Sequence, residues 1–160
     1  MKMIKAIVLA AALFIPLVAF ALDSDEQVEF SDALTTGKIK IVKKYLDKGV
    51  DVNDKYFAWT AIQIAANKGQ LAVVKMLVDK GADMNYKHPI TKMTAFQLAA
   101  YDGYPEVVKY LASKGADINS KMRGDVSIIR AVRDSGNMEM VDLLASLGVK
   151  DDGCLEEKCN

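Results

Sequence analysis

The sequence predicts an all-α fold, a solenoid of four helix-turn-helix repeats with projecting turns, preceded by a cleavable signal peptide. Three observations lead there. The chain repeats itself at a nearly constant interval, each copy holds an amphipathic helix closed by a glycine, and the N-terminus is an apolar run that starts with lysines. With 160 residues, 51% of them hydrophobic, the chain is long enough to bury one domain's core and hardly more.

The leader comes first. Lys2 and Lys5 precede an apolar stretch from Ala6 to Leu22 that only Pro16 interrupts, and Ala19-Phe20-Ala21 stand ahead of Asp23-Ser24-Asp25-Glu26. A basic start, an apolar middle and small residues at the end are the pattern of a secretory signal, so cleavage is expected after Ala21. The stretch has 17 residues and contains a proline, short for a bilayer anchor, which wants about 20. No stable membrane insertion is therefore expected after cleavage. Removing Lys2 and Lys5 turns 21 basic against 21 acidic residues into 19 against 21. That balance removes the electrostatic case for a nucleic-acid binder, whose basic excess neutralises phosphates.

The repeats follow. Thr60-Ala61-Ile62-Gln63-Ile64-Ala65-Ala66 returns 34 positions later as Thr94-Ala95-Phe96-Gln97-Leu98-Ala99-Ala100, and Lys80-Gly81-Ala82-Asp83-Met84-Asn85 returns as Lys114-Gly115-Ala116-Asp117-Ile118-Asn119. An earlier copy carries Gly37, Ile41-Val42-Lys43 and Lys48-Gly49-Val50-Asp51-Val52-Asn53; a later one carries Ser127-Ile128-Ile129, Gly136, Met140-Val141 and Leu147-Gly148. The copies run over about 27–59, 60–93, 94–126 and 127–150 within a repeat domain of residues 22–150. A period of this size means that each unit buries its apolar face against its neighbours. Within a unit, Val73, Val74, Leu77 and Val78 recur at helical spacing, which predicts an amphipathic helix from about Leu71 to Asp79. Gly81 closes it, as Gly49, Gly115 and Gly148 close the others, because glycine takes the left-handed conformation that satisfies the last carbonyls. Ala65 and Ala66 belong to a shorter preceding helix, and Pro105 suits the first turn of the third long helix.

This pattern resembles the ankyrin repeat, whose hallmark is Thr-Pro-Leu-His-x-Ala-Ala followed by a glycine, an apolar second helix and Gly-Ala-Asp-Val-Asn. The resemblance covers about residues 27–150 and is closest in the second and third units. The motif proline is replaced by Ala61, Ala95 and Ile128, and the motif histidine by Gln63, Gln97 and Arg130. Glutamine still has the groups to bond a neighbouring turn. The outer units read as caps: Arg133 stands where the inner units have Ala66 and Ala100, which is tolerable only without a fifth repeat over it.

Catalysis would need a cluster of titratable groups, and the inventory does not supply one. His88 is the single histidine and, beside Pro89 in a turn, reads as a surface residue rather than a metal ligand or proton carrier. No Gly-rich phosphate loop, zinc-protease helix or serine elbow occurs. Asp83 and Asp117 recur at repeat positions and read as turn formers bonded to local backbone. No enzyme activity, cofactor or metal is expected. Cys154 and Cys159, in the tail of residues 151–160, read as a local disulfide in an oxidising compartment, with free thiols or a metal pair as alternatives.

The resemblance implies a partner protein lying along the turn tips and the exposed side of the short helices. Carried over position by position, it points to Tyr56, Phe57 and Trp59 in the first turn, Tyr86 and His88 in the second, and Met122 and Arg123 in the third. At the ends of the short helices it points to Lys68, Tyr101, Asp102 and Tyr104. Aromatic residues and arginine often dominate interface energy. The competing reading has Tyr56, Phe57 and Trp59 folded back as a local cover. The basic residues Lys38, Lys40, Lys43, Lys44 and Lys48 read as a solvated face. Similarity to small exported bacterial ankyrin proteins implies a periplasmic location, with secretion second, and a partner that is a periplasmic or secreted enzyme or toxin. Two versions are concrete: an immunity protein against a secreted antibacterial toxin such as a phospholipase, or an accessory factor for an exported enzyme such as a catalase. A structural envelope scaffold is the third possibility.

Overall fold

Each unit is built from two helices, the first shorter than the second in all but the first unit, and the computed structural model describes residues 22–152. The expected leader, with its cleavage after Ala21, and the cysteine pair Cys154 and Cys159 lie outside the described residues. In the first unit, α1 (Ser24–Thr36) starts where the Asp23 carboxylate accepts the Glu26 N–H and ends at Gly37 in the left-handed conformation; α2 (Ile39–Asp47) follows. The second unit opens with a two-stranded hairpin, β1 (Lys55–Tyr56) and β2 (Trp59–Thr60), and continues with α3 (Ala61–Asn67) and α4 (Leu71–Asp79). The third holds α5 (Ala95–Tyr101) and α6 (Pro105–Ser113), with Pro105 at its first position as its missing N–H favours. After a 3-10 turn at Arg123–Asp125, the fourth holds α7 (Ile128–Asp134) and α8 (Met138–Ser146).

The leading helices α1, α3, α5 and α7, of which only α1 is longer than its partner, stand side by side in one row, and the second helices of the units pack along it in another. Ala65, Ala66, Ala99 and Ala100 are all buried, so α3 and α5 approach as closely as their small side chains permit. Val73, Val74 and Leu77, with their counterparts Val107, Val108 and Leu111, fill the space between the rows.

Polar side chains fix the rise from one unit to the next. Asn53 Oδ1 accepts the Asp83 N–H at 2.8 Å, Asn85 Oδ1 accepts the Asp117 N–H at 2.8 Å, and Asn119 Oδ1 accepts the Lys150 N–H at 2.7 Å. The carboxylates of Asp51, Asp83 and Asp117 each bind the backbone N–H two residues on, the turn-forming role expected for the last two. Gln63 and Gln97 sit fully buried between units. Gln63 accepts the Thr60 N–H and donates to the carbonyls of Tyr86 and Met93; Gln97 accepts the Thr94 N–H and donates to the Ser120 carbonyl.

The two ends solve the capping problem differently. At the first, Phe30 meets Tyr45 and Tyr56 edge-on, at centroid distances of 5.5 and 5.2 Å. The Tyr45 hydroxyl donates to Glu29, and that bond, with burial, pushes its pKa up to about 12. At the last, Arg130 replaces the buried glutamine, and the Ser127 N–H is taken instead by the Asp152 carboxylate at 2.9 Å. Arg133 pairs with Asp151, so the segment after the fourth repeat covers that arginine.

Replacing Gln97 by leucine keeps the volume but strands the Thr94 N–H and the Ser120 carbonyl. Urea unfolding is expected to show a loss of about 2 kcal/mol or more, because each buried unpaired group costs about 1–3 kcal/mol. A loss below about 0.5 kcal/mol would mean that the amide is not a structural tie.

Candidate functional site

Three turns project from the stack, after Asn53, Asn85 and Asn119, and they differ in length and build. The first is a tight hairpin in which Lys55 faces Thr60 and Tyr56 faces Trp59. Its two central residues, Phe57 and Ala58, have φ of 53° and 72°, the geometry of a type I′ turn that asparagine and glycine fill without strain. Alternation across the hairpin sends Tyr56 inward and leaves the Phe57 ring 80% exposed at the tip.

The turns are tied to one another sideways. Trp59 stacks on His88 with ring centroids 4.1 Å apart, and Lys55 Nζ lies over the Tyr86 ring. The Arg123 N–H donates to the Thr91 carbonyl at 3.0 Å, and Lys87 Nζ reaches the Lys121 carbonyl. The result is a continuous ridge rather than three separate loops. Below it, Trp59, Thr35, Ile64, Asn67 and Lys68 line a hollow of about 150 Å³ against α1 and α3. Tyr101, 51% exposed, and Asp102 extend this face along α5, with Asp102 accepting a hydrogen bond from Asn67.

Several expectations need correction. His88 is only 6% exposed, not a surface residue: Trp59 covers one face of its ring, and its Nδ1 accepts the Thr91 N–H. Tyr56 is 4% exposed, with its ring against Phe30, so it belongs to the cover and not to a contact surface. Burial, reinforced by the charges of Asp54 and Asp51, raises its pKa. The cover thus claims Tyr56 wholly, Trp59 in part, and Phe57 not at all. Tyr104 lies against Gly69 of the preceding unit, where an added Cβ would meet its ring, so it fills a gap between repeats. Gln70 does the same at Gly37. Asn137 at the matching place is shorter, and a hollow of about 320 Å³ opens there between α6 and α8, lined by no residue of the ridge. Met122 is half-buried against the core. Phe57, Lys68, Tyr101, Asp102 and Arg123 are exposed as expected, and Tyr86 is half-buried.

Two residues escaped the sequence reading. Ile90, 66% exposed, and Lys92, with φ of 61°, lie at the tip of the second turn. The signal for Ile90 was present: an isoleucine after His-Pro inside a turn has no core to enter. Among the described residues no group of three or more metal-binding side chains converges.

The stacked helix pairs and projecting turns agree with a comparison against family models: the model for ankyrin repeats, three copies, matches residues 30–122. The chain belongs to the ankyrin-repeat family. No curated protein matches it. The fourth ankyrin unit, beyond the matched span, keeps the helix pair and the asparagine bond to Lys150. Ankyrin repeats are protein-interaction modules, and the ridge and short-helix face are the surface that such a module offers.

The tip geometry makes a stability forecast. Replacing Phe57 and Ala58 together by asparagine and glycine is expected to raise the unfolding free energy by about 1 kcal/mol, since each left-handed non-glycine residue costs roughly 1–2 kcal/mol and the new glycine returns part of that as chain entropy. Thermal unfolding checks it; a lower melting temperature would mean that the aromatic tip is packed, not strained.

Proposed function

We propose that this ankyrin protein is a non-enzymatic binding module of the periplasm, holding a partner protein across its turn ridge and short-helix face. Support for export comes from the lysine-led apolar run that ends in Ala19-Phe20-Ala21. The observation that carries the binding reading is Phe57: a large apolar side chain held in a strained conformation, almost fully in water, at the end of a braced hairpin. Folding alone gains nothing from that arrangement, and backbone strain of this kind collects where a structure meets a ligand. Of the concrete roles, neutralising an exported enzyme or toxin, as an immunity protein would, fits a projecting aromatic finger best. Such a finger enters another protein's cleft with few rotatable bonds to immobilise.

Affinity purification of the mature protein from its native periplasm is expected to recover one stoichiometric protein. The paired variant Phe57→Ala, Tyr101→Ala should weaken capture by about 30-fold or more, the effect of losing a buried aromatic anchor worth about 2 kcal/mol. Undiminished capture by the variant would place the contact elsewhere. Recovery of self-association alone would favour an envelope scaffold.

A further inference from the structure

The ridge carries a charge that the chain as a whole does not. Over residues 54–59, 86–93 and 120–126 there are five basic residues, Lys55, Lys87, Lys92, Lys121 and Arg123, against two acidic ones, Asp54 and Asp125, whereas the full chain is balanced at 21 each. None of those five cations forms an ion pair among the described residues. The other basic cluster behaves differently: Lys38, Lys43, Lys44 and Lys48 of the first unit pair with Asp32, Asp47, Glu29 and Glu26. Lys40 excepted, the lysine-rich face of the first unit is neutralised within the fold, whereas the cations of the ridge are left open.

The same ridge concentrates the backbone strain and the exposed apolar tips. All four non-glycine residues with positive φ in the described chain, Phe57, Ala58, Lys92 and Asp125, lie on it. Phe57 and Ile90 protrude between the cations, and the hollow beside Trp59 opens at its foot, next to Ile64 and the exposed Lys68. Its volume of about 150 Å³ is below the range of roughly 300–1,000 Å³ typical of small-molecule sites and suits a single side chain.

We propose that the ridge is a docking surface for an acidic, extended segment of the partner protein, whose carboxylates meet the five unpaired cations while one apolar side chain enters the hollow beside Trp59. The inference rests on the reading of this chain as a protein-binding module and adds the chemistry of what it binds. Charge complementarity chooses an acidic ligand, and a row of cations along braced turns steers it and sets its register. An anionic bilayer would also attract lysines and apolar tips. A flat lipid surface, however, does not reach a hollow recessed against α1 and α3, and this favours a polypeptide.

The test is selection of an unbiased random 12-residue peptide library on the immobilised full chain, with anionic phosphatidylserine vesicles offered in parallel. Enriched peptides are expected to be acidic and to carry one large apolar residue. Their binding should fall by about tenfold or more in the charge-reversed variant Lys87→Glu, Arg123→Glu, whose melting temperature should match the parent, and should weaken with added salt. Replacing the peptide's apolar residue by serine should weaken binding as well. Enrichment of neutral or basic peptides, or acidic peptides indifferent to the charge reversal, overturns the acidic-segment proposal and leaves the binding reading standing. Vesicle binding that the reversal abolishes, with no peptide enriched, overturns it in favour of a lipid surface. An empty selection overturns it too, whereas the binding reading falls only with the native-partner purification.

Discussion

Everything at the working face depends on side-chain amides that tie one repeat to the turn of the next. A helix pair of this size cannot hold its own turn, because the turn has exposed backbone groups and little apolar surface to bury. Gln63 therefore clamps the second turn through the carbonyls of Tyr86 and Met93, Gln97 clamps the third through Ser120, and the asparagine series sets the spacing of the units at the foot of the turns. The glutamine bonds lie within the low dielectric of the stack, where they are strong and costly to leave unmade, so they specify one arrangement of neighbouring units. Where the series runs out, Asp152 takes the N–H of Ser127 that a glutamine would otherwise accept, and Lys150 completes the asparagine series.

Much of the scaffold was legible because it is periodic. The helix expected from Leu71 to Asp79 is found with those limits, and the glutamines do bond neighbouring turns, as their place in the repeat implied. The directions of the turn side chains were not legible, for a physical reason. From the shared asparagine to the shared threonine or serine, the turns run from Asn53 to Thr60, Asn85 to Thr94 and Asn119 to Ser127, so their lengths differ and no position in one predicts a position in another. His88 and Tyr56 were misplaced for that reason. Each lies in a turn whose fold depends on what the adjacent turn presents: Trp59 to His88, and Phe30 of the first unit to Tyr56.

Bracing and strain belong together on this face. A positive φ at Phe57 or Lys92 survives only because neighbouring groups over-determine the backbone, and those neighbours are the adjacent turns. A partner then meets a surface already shaped, which lowers the ordering cost of association. Among the described residues, the second helices of the units carry no non-glycine residue with positive φ. Four lysines of the first unit are paired, and the hollow between α6 and α8 arises because Asn137 is shorter than the Tyr104 ring that fills the preceding gap.

Backbone amide exchange measures the bracing most directly. The N–H groups of Thr60 and Thr94, bonded to glutamine Oε1, and those of Asp83 and Asp117, bonded to asparagine Oδ1, should exchange as slowly as the core amides of α3 and α5, opening only when the stack itself unfolds. Exchange of these four amides at the rate of free loop residues while α3 and α5 stay protected would show that the turns move independently of the repeats. The account of a braced ridge would then be wrong.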